Sequence, residues 1–250
     1  MKKIISLFLL LFSINAFSAG SSIEIPKYDW SWKGFFGTYD RAAAQRGLKV
    51  YREVCAGCHS MNLISYRNLE ALGFSEAQIK AIAADYLIQD GPNEEGDMFE
   101  REALPSDRFA NPYPNIQAAR AANNGALPPD LSLIVKARPK GADYIKSLLI
   151  GYTEAPHGVN VPEGQYYNQF MEGNLIAMPA PLSEGAVEYD DGTESSIDQM
   201  ATDVTTFLAW AAEPSLEDRK RIGLKVILFL IVLFVLAYIS KQNIWRDVKY

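Results

Sequence analysis

The clearest periodic pattern in the chain runs from Ser196 to Ala212. Apolar side chains recur there at intervals of three and four residues, the spacing that places them on one face of an α-helix. They are Met200, Val204, Phe207, Leu208 and Ala211. Ser196 and Gln199 form a capping-box pair at the start, and Pro214 follows the end. The pattern predicts an amphipathic helix with Met200 in the core.

Two weaker helical segments come earlier in the chain. The first runs from about Tyr39 to Val54, with Thr38 or Asp40 as its N-cap. Gly47 lies within it and would permit the close approach of another helix. The second runs from about Ser75 to Leu87, and the letters S-E-A-Q supply its capping signal.

The stretch from Gly91 to Pro181 is rich in proline, glycine and asparagine, so we expect mostly loops there. No internal repeat or low-complexity linker divides the soluble part of the chain. We therefore predict one domain over residues 21–218, with a fold that is mostly α-helical with long loops.

The C-terminal region holds a continuous apolar run from Ile222 to Ser240, with Lys225 as its only charge. As a helix these 19 residues would be about 28 Å long, which is enough to cross the hydrocarbon core of a bilayer. A buried core helix is the alternative, but the near-continuous apolar content disfavours it. We predict one C-terminal transmembrane helix, followed by a tail of residues 241–250.

The N-terminus has the pattern of a secretory signal peptide. Lys2 and Lys3 precede an apolar segment from Ile4 to about Phe12, and small residues cluster by Gly20. Residues 1–20 would then be removed. Basic residues flank both sides of the C-terminal span, so the signal peptide decides the topology and places the soluble domain outside the cytoplasm.

Charge is unevenly distributed along the chain. Residues 20–218 carry 15 basic and 29 acidic side chains, a net charge of −14, whereas residues 219–250 carry +6. Acidic runs lie at Asp90–Glu102 and Glu184–Glu194. Each run by itself is explained equally well by solubility or by the docking of a partner. As a docking surface, the acidic runs would attract a basic partner. The negative sign disfavours nucleic acid binding.

The motif Cys55-Ala56-Gly57-Cys58-His59 is the attachment signature of a c-type haem. Its two thiols can add to the vinyl groups of one porphyrin, and His59 can supply an axial imidazole. A zinc site would need further ligands, but the chain has no third cysteine and only one other histidine, His157. A thioredoxin-like dithiol does not need the histidine and would lie in a βαβ pattern that is not seen here.

A second axial ligand has to come from elsewhere in the chain. Four of the six methionines are poor candidates because they lie in the signal peptide, too close to His59, in an acidic run or on the core stripe. These are Met1, Met61, Met98 and Met200.

Met178 is the favoured second ligand, because the prolines of I-A-M-P-A-P would fix the direction of its thioether. Met171 is the reserve. His157 is the histidine rival and would give a site of lower potential. A His59–Met178 pair would leave no open coordination position, which favours electron transfer over bond chemistry.

Beyond these residues, the chain resembles the cytochrome c1 family, the haem subunits of cytochrome bc1 (quinol–cytochrome c reductase) complexes, in its bacterial form. The resemblance covers nearly the whole chain. It rests on C-A-G-C-H-S-M at 55–61, R-A-A-N-N-G-A-L-P-P-D-L-S at 120–132, I-A-M-P at 176–179, D-V-T-T-F-L-A-W-A-A-E-P at 203–214 and the C-terminal anchor.

The resemblance implies a cytochrome c-like haem domain that carries one covalently attached haem c. Cys55 and Cys58 would form the thioether bonds, and His59 and Met178 would be the axial ligands of the haem iron.

Three further residues receive roles from the same resemblance. Arg120 would pair with a haem propionate, which suits a fixed cationic guanidinium. Pro129 would pack on the haem, and Tyr113 would line it.

The resemblance also implies a function in the bacterial inner membrane, with the haem domain on the periplasmic side. Cytochrome b would oxidise quinol, and the Rieske iron–sulfur protein would pass electrons to this haem. A soluble or tethered cytochrome c would collect them, within a dimeric bc1 complex. The chain would not be catalytic alone.

Two alternatives remain open. The chain could serve another electron-transfer complex, such as a terminal oxidase. It could also be a haem enzyme such as a peroxidase, or a ligand-binding sensor, either of which requires an open sixth position.

Overall fold

The computed structural model describes residues 23–247, so the predicted signal peptide lies outside the described residues. The helices are α1 (Arg41–Val50), α2 (Glu76–Ala84), α3 (Ile116–Ala122), α4 (Ile134–Ala137), α5 (Ala142–Ile150), α6 (Ile197–Ala212) and α7 (Leu216–Trp245). A π-helical turn spans Tyr51–Cys55, and a 3-10 helix spans Tyr66–Leu72. Strands β1 (Leu87–Asp90) and β2 (Phe99–Glu102) pair antiparallel, as do β3 (Tyr166–Tyr167) and β4 (Leu175–Ile176).

The core is built around the crossing of α1 and α6. Gly47 of α1 faces the backbone of α6 so closely that a Cβ there would lie 2.0 Å from the carbonyl oxygen of Asp203. Beside this contact, the guanidinium of Arg46 donates two hydrogen bonds of 2.9 and 3.0 Å to the carboxylate of Asp203. The predicted close approach at Gly47 is thus observed.

Helix α6 confirms the apolar stripe, because all five of its predicted members are buried, Met200 and Phe207 completely. Ser196 caps the helix by accepting a 3.3 Å bond from the Gln199 amide. The predicted capping box was half wrong, since the Gln199 side chain donates to Asp203 instead of returning to the cap. At α1 the cap is Asp40, which accepts from the Ala43 amide.

The middle of the chain contains more regular structure than its composition predicts. Helix α2 ends at Ala84, three residues early, because Leu87 pairs with Glu102 in a β-hairpin. Helix α5 was not predicted, because Lys146 and Ser147 are buried beside its apolar residues and blur the periodicity. Loops still dominate residues 91–181, and the mostly helical fold with long loops is confirmed.

Helix α7 contains the predicted span, residues 222–240, and extends beyond it at both ends. Its 18-residue apolar core has a mean hydropathy of 2.9, and none of that core is buried against the rest of the protein. Within residues 23–247 it is the one helix long and apolar enough to cross a membrane. A C-terminal membrane-capable helix is therefore present, as predicted.

Candidate haem site

The C-x-x-C-H motif starts at Cys55, the last residue of the π-helical turn. The Ala56 amide donates a 2.7 Å bond to the carbonyl of Tyr51, five residues earlier, which widens the end of α1 by one residue. The amides of Cys58 and His59 then both donate to the carbonyl of Cys55, at 3.1 and 2.9 Å. The backbone from Cys55 to His59 is thereby folded into one tight turn.

The ring of His59 is oriented by a residue far away in sequence. Its Nδ1 lies 2.8 Å from the carbonyl oxygen of Pro129. Because a carbonyl oxygen can only accept, Nδ1 carries the proton and Nε2 keeps its lone pair. Burial lowers the pKa of His59, which favours this neutral ring. The imidazole is thus prepared to ligate a metal through Nε2.

Tyr51 supports the motif from beneath. It is buried in the core, and its hydroxyl donates a 3.1 Å bond to the main-chain carbonyl of His59. Burial raises the pKa of Tyr51 well above its usual range, so the hydroxyl remains a donor. The sequence analysis gives Tyr51 no role in the site; its position four residues before Cys55, at the buried start of the π-helical turn, is the available signal.

Asp130 joins the motif to the loop that carries Pro129. Its Oδ2 accepts from the Ser60 hydroxyl at 2.8 Å and from the main-chain and side-chain nitrogens of Asn62 at 2.8 and 2.9 Å. Its Oδ1 accepts from the Ser132 amide at 2.9 Å, which closes an Asx turn. Burial acts to raise the pKa of Asp130, but these hydrogen bonds outweigh it and hold the pKa below its usual value.

The two cysteines are free thiols in different surroundings. Cys55 is partly buried, and burial raises the pKa of its thiol to about 12. Cys58 is exposed, and its sulfur accepts a 3.9 Å hydrogen bond from the hydroxyl of Tyr113, which in turn accepts from the side chain of Asn123. The structure therefore places Tyr113 beside the motif.

A surface cleft opens next to Cys58. Its walls include Tyr113 and Pro128 and two large apolar side chains, Ile116 and Leu127, that are 58% and 40% exposed. Apolar side chains left in water around a cleft are typical of a ligand site. Two cysteines and an imidazole with Nε2 available, next to a cleft that exposes apolar side chains, fit the attachment of a haem.

The methionines separate clearly by environment. Met61 and Met200 are fully buried in the core, and Met98 is more than half exposed. The sulfur of Met171 accepts a 3.5 Å bond from Tyr144. Met178 is half-buried in the loop after β4, where its main-chain carbonyl accepts from Tyr152, and the choice of Met178 as ligand stays a prediction.

Two other candidates lie at the surface. Arg120, in the last turn of α3, is exposed and donates a 2.8 Å bond to the carbonyl of Gly125. This contact holds the loop that leads to Pro129, and the pairing of Arg120 with a propionate stays a prediction. His157 lies exposed in a turn of a separate loop.

This geometry fits the c-type cytochromes, and α7 could anchor such a protein in a membrane. The assignment agrees with comparison to known proteins, since a sequence model of the Cytochrome C1 family matches residues 30–248. The chain belongs to the cytochrome c1 family.

Several relatives can be compared in detail. The chain is 48% identical to cytochrome c1 of Rhodospirillum rubrum over 244 residues, covering 91% of this chain and 90% of that protein. It is 50% identical to cytochrome b/c1 of Bradyrhizobium diazoefficiens over 244 residues, covering 89% of this chain but only 36% of that longer protein. It is 47% identical to the mitochondrial cytochrome c1 haem protein of Saccharomyces cerevisiae, with 93% and 75% coverage.

Proposed function

We propose that this chain is the haem-carrying electron-transfer subunit of a cytochrome bc1 complex. Family membership supports this role, and the observation that carries it is the His59 ring, held by Pro129 with Nε2 free. Electrons would arrive from the Rieske iron–sulfur protein and leave to a soluble or tethered cytochrome c. The name cytochrome b/c1 of the Bradyrhizobium relative supports cytochrome b as the neighbouring subunit.

The residues of the site have distinct tasks in this proposal. Cys55 and Cys58 would hold one haem c by thioether bonds, and His59 and Met178 would ligate its iron. The bound haem supplies a one-electron centre. The Pro129 carbonyl keeps the proton on Nδ1, so that Nε2 stays available to the iron.

The proposed topology follows from helix α7. Residues 222–240 would span the bacterial inner membrane, with residues 21–218 on the periplasmic side after removal of the signal peptide and residues 241–250 in the cytoplasm. The exposed apolar surface of α7 and the bacterial relatives support a single-pass arrangement. The chain would work in a dimeric complex and would not be catalytic alone.

The axial ligand can be tested with Met178→Leu in the full haem-loaded chain. Loss of the thioether should open a coordination position, so the reduced protein should bind carbon monoxide rapidly and its visible spectrum should change. Met171→Leu is the matched control and should leave both properties unchanged. An unchanged spectrum in Met178→Leu would refute the assignment, and a change only in Met171→Leu would transfer the role to the reserve methionine.

The acidic surface is proposed to guide a basic cytochrome c. Within the described residues, several acids of the two acidic runs are already paired, including Asp90 with Arg101 and Asp190 with Lys49. Glu94, Asp97 and Glu100, in the β1–β2 hairpin, are exposed and make no ion pair within residues 23–247. These three carboxylates are therefore available to a partner.

Docking by these acids predicts that the rate of electron transfer to a basic cytochrome c falls as ionic strength rises. Neutralising Glu94, Asp97 and Glu100 together should flatten that dependence. A control triple at Glu154, Glu163 and Glu172 removes the same charge elsewhere. Equal flattening in both triples would contradict local docking, and a rate independent of salt would refute docking altogether.

A further inference from the structure

The segment 31–38, here called the joint loop, is wrapped around the side chain of Lys220 at the start of α7. The ammonium group donates to the main-chain carbonyls of Trp32, Gly34 and Gly37 at 2.7, 2.7 and 2.8 Å. An ammonium has three N–H donors, so its capacity is filled by the loop. Gly37 has no room for a side chain, because a Cβ would lie 2.1 Å from a loop oxygen. The loop is therefore tightly fixed to the helix.

A second set of hydrogen bonds fixes the chain next to the joint loop, one turn earlier on α7. The carboxylate of Glu217 accepts two bonds from the guanidinium of Arg41, at 2.6 and 2.8 Å, and a third of 2.8 Å from the amide of Tyr39. Bidentate pairing of this kind fixes orientation as well as distance. The joint loop is thus held at a constant height along the axis of α7.

The tip of the joint loop exposes two large aromatic rings. Phe35 is 51% exposed and Phe36 is 82% exposed, with their ring centroids 4.9 Å apart in an edge-on arrangement. Together with Leu224 they line a cleft against the first turns of α7. Adjacent exposed rings of this size are a feature of interaction surfaces.

The position of this cleft along the axis of α7 indicates what covers it. The apolar span begins at Ile222, and Leu224 lies about 3 Å further along the helix axis. The rings of Phe35 and Phe36, which line the same cleft as Leu224, are therefore level with the edge of the hydrocarbon core when α7 spans a bilayer. The exposed rings continue the apolar surface of the span outward from the helix.

The charged residues around the cleft also fit a position at the surface of a bilayer. Arg219 and Arg221 lie just before the span, with side chains 63% and 70% exposed. Each also pairs with a carboxylate, Glu213 or Asp218, so the surface is amphipathic and not simply basic. Arginines one turn above exposed apolar rings match the order of phosphates above acyl chains.

We propose that the joint loop is a second membrane contact, in which Phe35 and Phe36 insert among lipid acyl chains at the bilayer interface beside α7. The proposal rests on the membrane insertion of α7 proposed above. Two contacts held together by Lys220 and Glu217 fix the tilt of the soluble domain over the membrane, whereas a single helix would leave it free to swivel.

Spin labelling of the full haem-loaded chain tests this contact. A nitroxide is placed at Phe36→Cys, in vesicles of phosphatidylcholine and phosphatidylglycerol. Collision with dissolved oxygen reports lipid, and collision with a water-soluble nickel chelate reports water. The oxygen-to-nickel ratio at position 36 should be several-fold higher than at Leu87→Cys, a matched control on β1 that is 63% exposed. Leu230→Cys, inside the span, reports α7 itself.

The outcomes are distinguishable. A nickel-accessible label at position 36 with a protected label at 230 overturns the loop contact and leaves the membrane anchor standing. Nickel access at all three positions overturns the anchor and the loop contact together. A label at 36 shielded from both reagents shows that protein covers the ring, which also overturns the proposal.

Discussion

The α1–α6 helix pair and the loops between Gly91 and Pro181 are held in place by different forces. The helices meet through backbone contact at Gly47 and a stripe of fully buried apolar side chains. The loops are held by polar side chains that bind main-chain atoms, as Asp130 does and as buried Asn168 does with the Leu148 carbonyl and the Phe170 amide. We therefore expect the helix pair to contribute most of the stability, whereas the loops position residues of the candidate site.

The largest expected effect comes from removing the buried charge in the helix pair. Asp203→Asn keeps the shape but leaves the Arg46 guanidinium without its buried partner, which we expect to cost about 3 kcal/mol of unfolding free energy. The measurement is urea unfolding of the full chain in mild detergent. Asp190→Asn is the control, because its ion pair with Lys49 is at the surface and should leave stability unchanged. If Asp203→Asn and Asp190→Asn lowered the free energy of unfolding equally, the buried ion pair of the helices would be no more important than the surface pair.

Gly47→Ala is expected to change the free energy of unfolding by a smaller amount, and the direction of the change is what tests the helix contact. Helix propensity alone would make this change stabilising by about 1 kcal/mol. The crowded contact with Asp203 should instead force the helices apart and destabilise the protein by about 2 kcal/mol. Thermal unfolding followed by circular dichroism gives the sign, with Ala42→Ser on the exposed side of α1 as control. A higher melting temperature would contradict the close approach.

The smallest expected change in the free energy of unfolding comes from a substitution in the loop region, and this change depends on pH. Hydrogen bonds hold the folded pKa of Asp130 below its usual value, so its contribution to stability is present above about pH 4 and is lost as pH falls through the folded pKa. Asp130→Asn should therefore cost about 1 kcal/mol at pH 6 and progressively less below pH 4. Unfolding curves of both proteins from pH 6 to pH 2 check this. A difference that stays constant across the range would show that the carboxylate charge is not what joins the loop to the motif.

The same contrast explains what the sequence predicts and what it does not. The apolar stripe of α6 and the apolar run of α7 are repeated local signals, so α6 was predicted close to its observed bounds and the apolar part of α7 was predicted within the longer helix. The β1–β2 hairpin was missed, because its strands have four residues each and are largely exposed, with no alternation to read.

In the candidate site, too, local features could be predicted from the sequence, and contacts between distant residues could not. The spacing of Cys55, Cys58 and His59 is local, so the motif could be recognised at once. The orientation of the His59 ring depends on a carbonyl 70 residues away, and no local pattern encodes that contact. Asp130 was missed as a support although the Pro-Pro-Asp sequence is a turn signal, because its partners lie on a distant segment.

The bond between Lys220 and the joint loop has a consequence for the order in which the chain is made. Lys220 follows Gly34 by 186 residues, which at about 5–20 residues per second corresponds to roughly 10–40 s of synthesis. The loop carbonyls therefore emerge long before the ammonium group that binds them, and nearly the whole soluble domain has been made in between. The bond that fixes the joint loop to α7 can therefore form only after that domain has been synthesised.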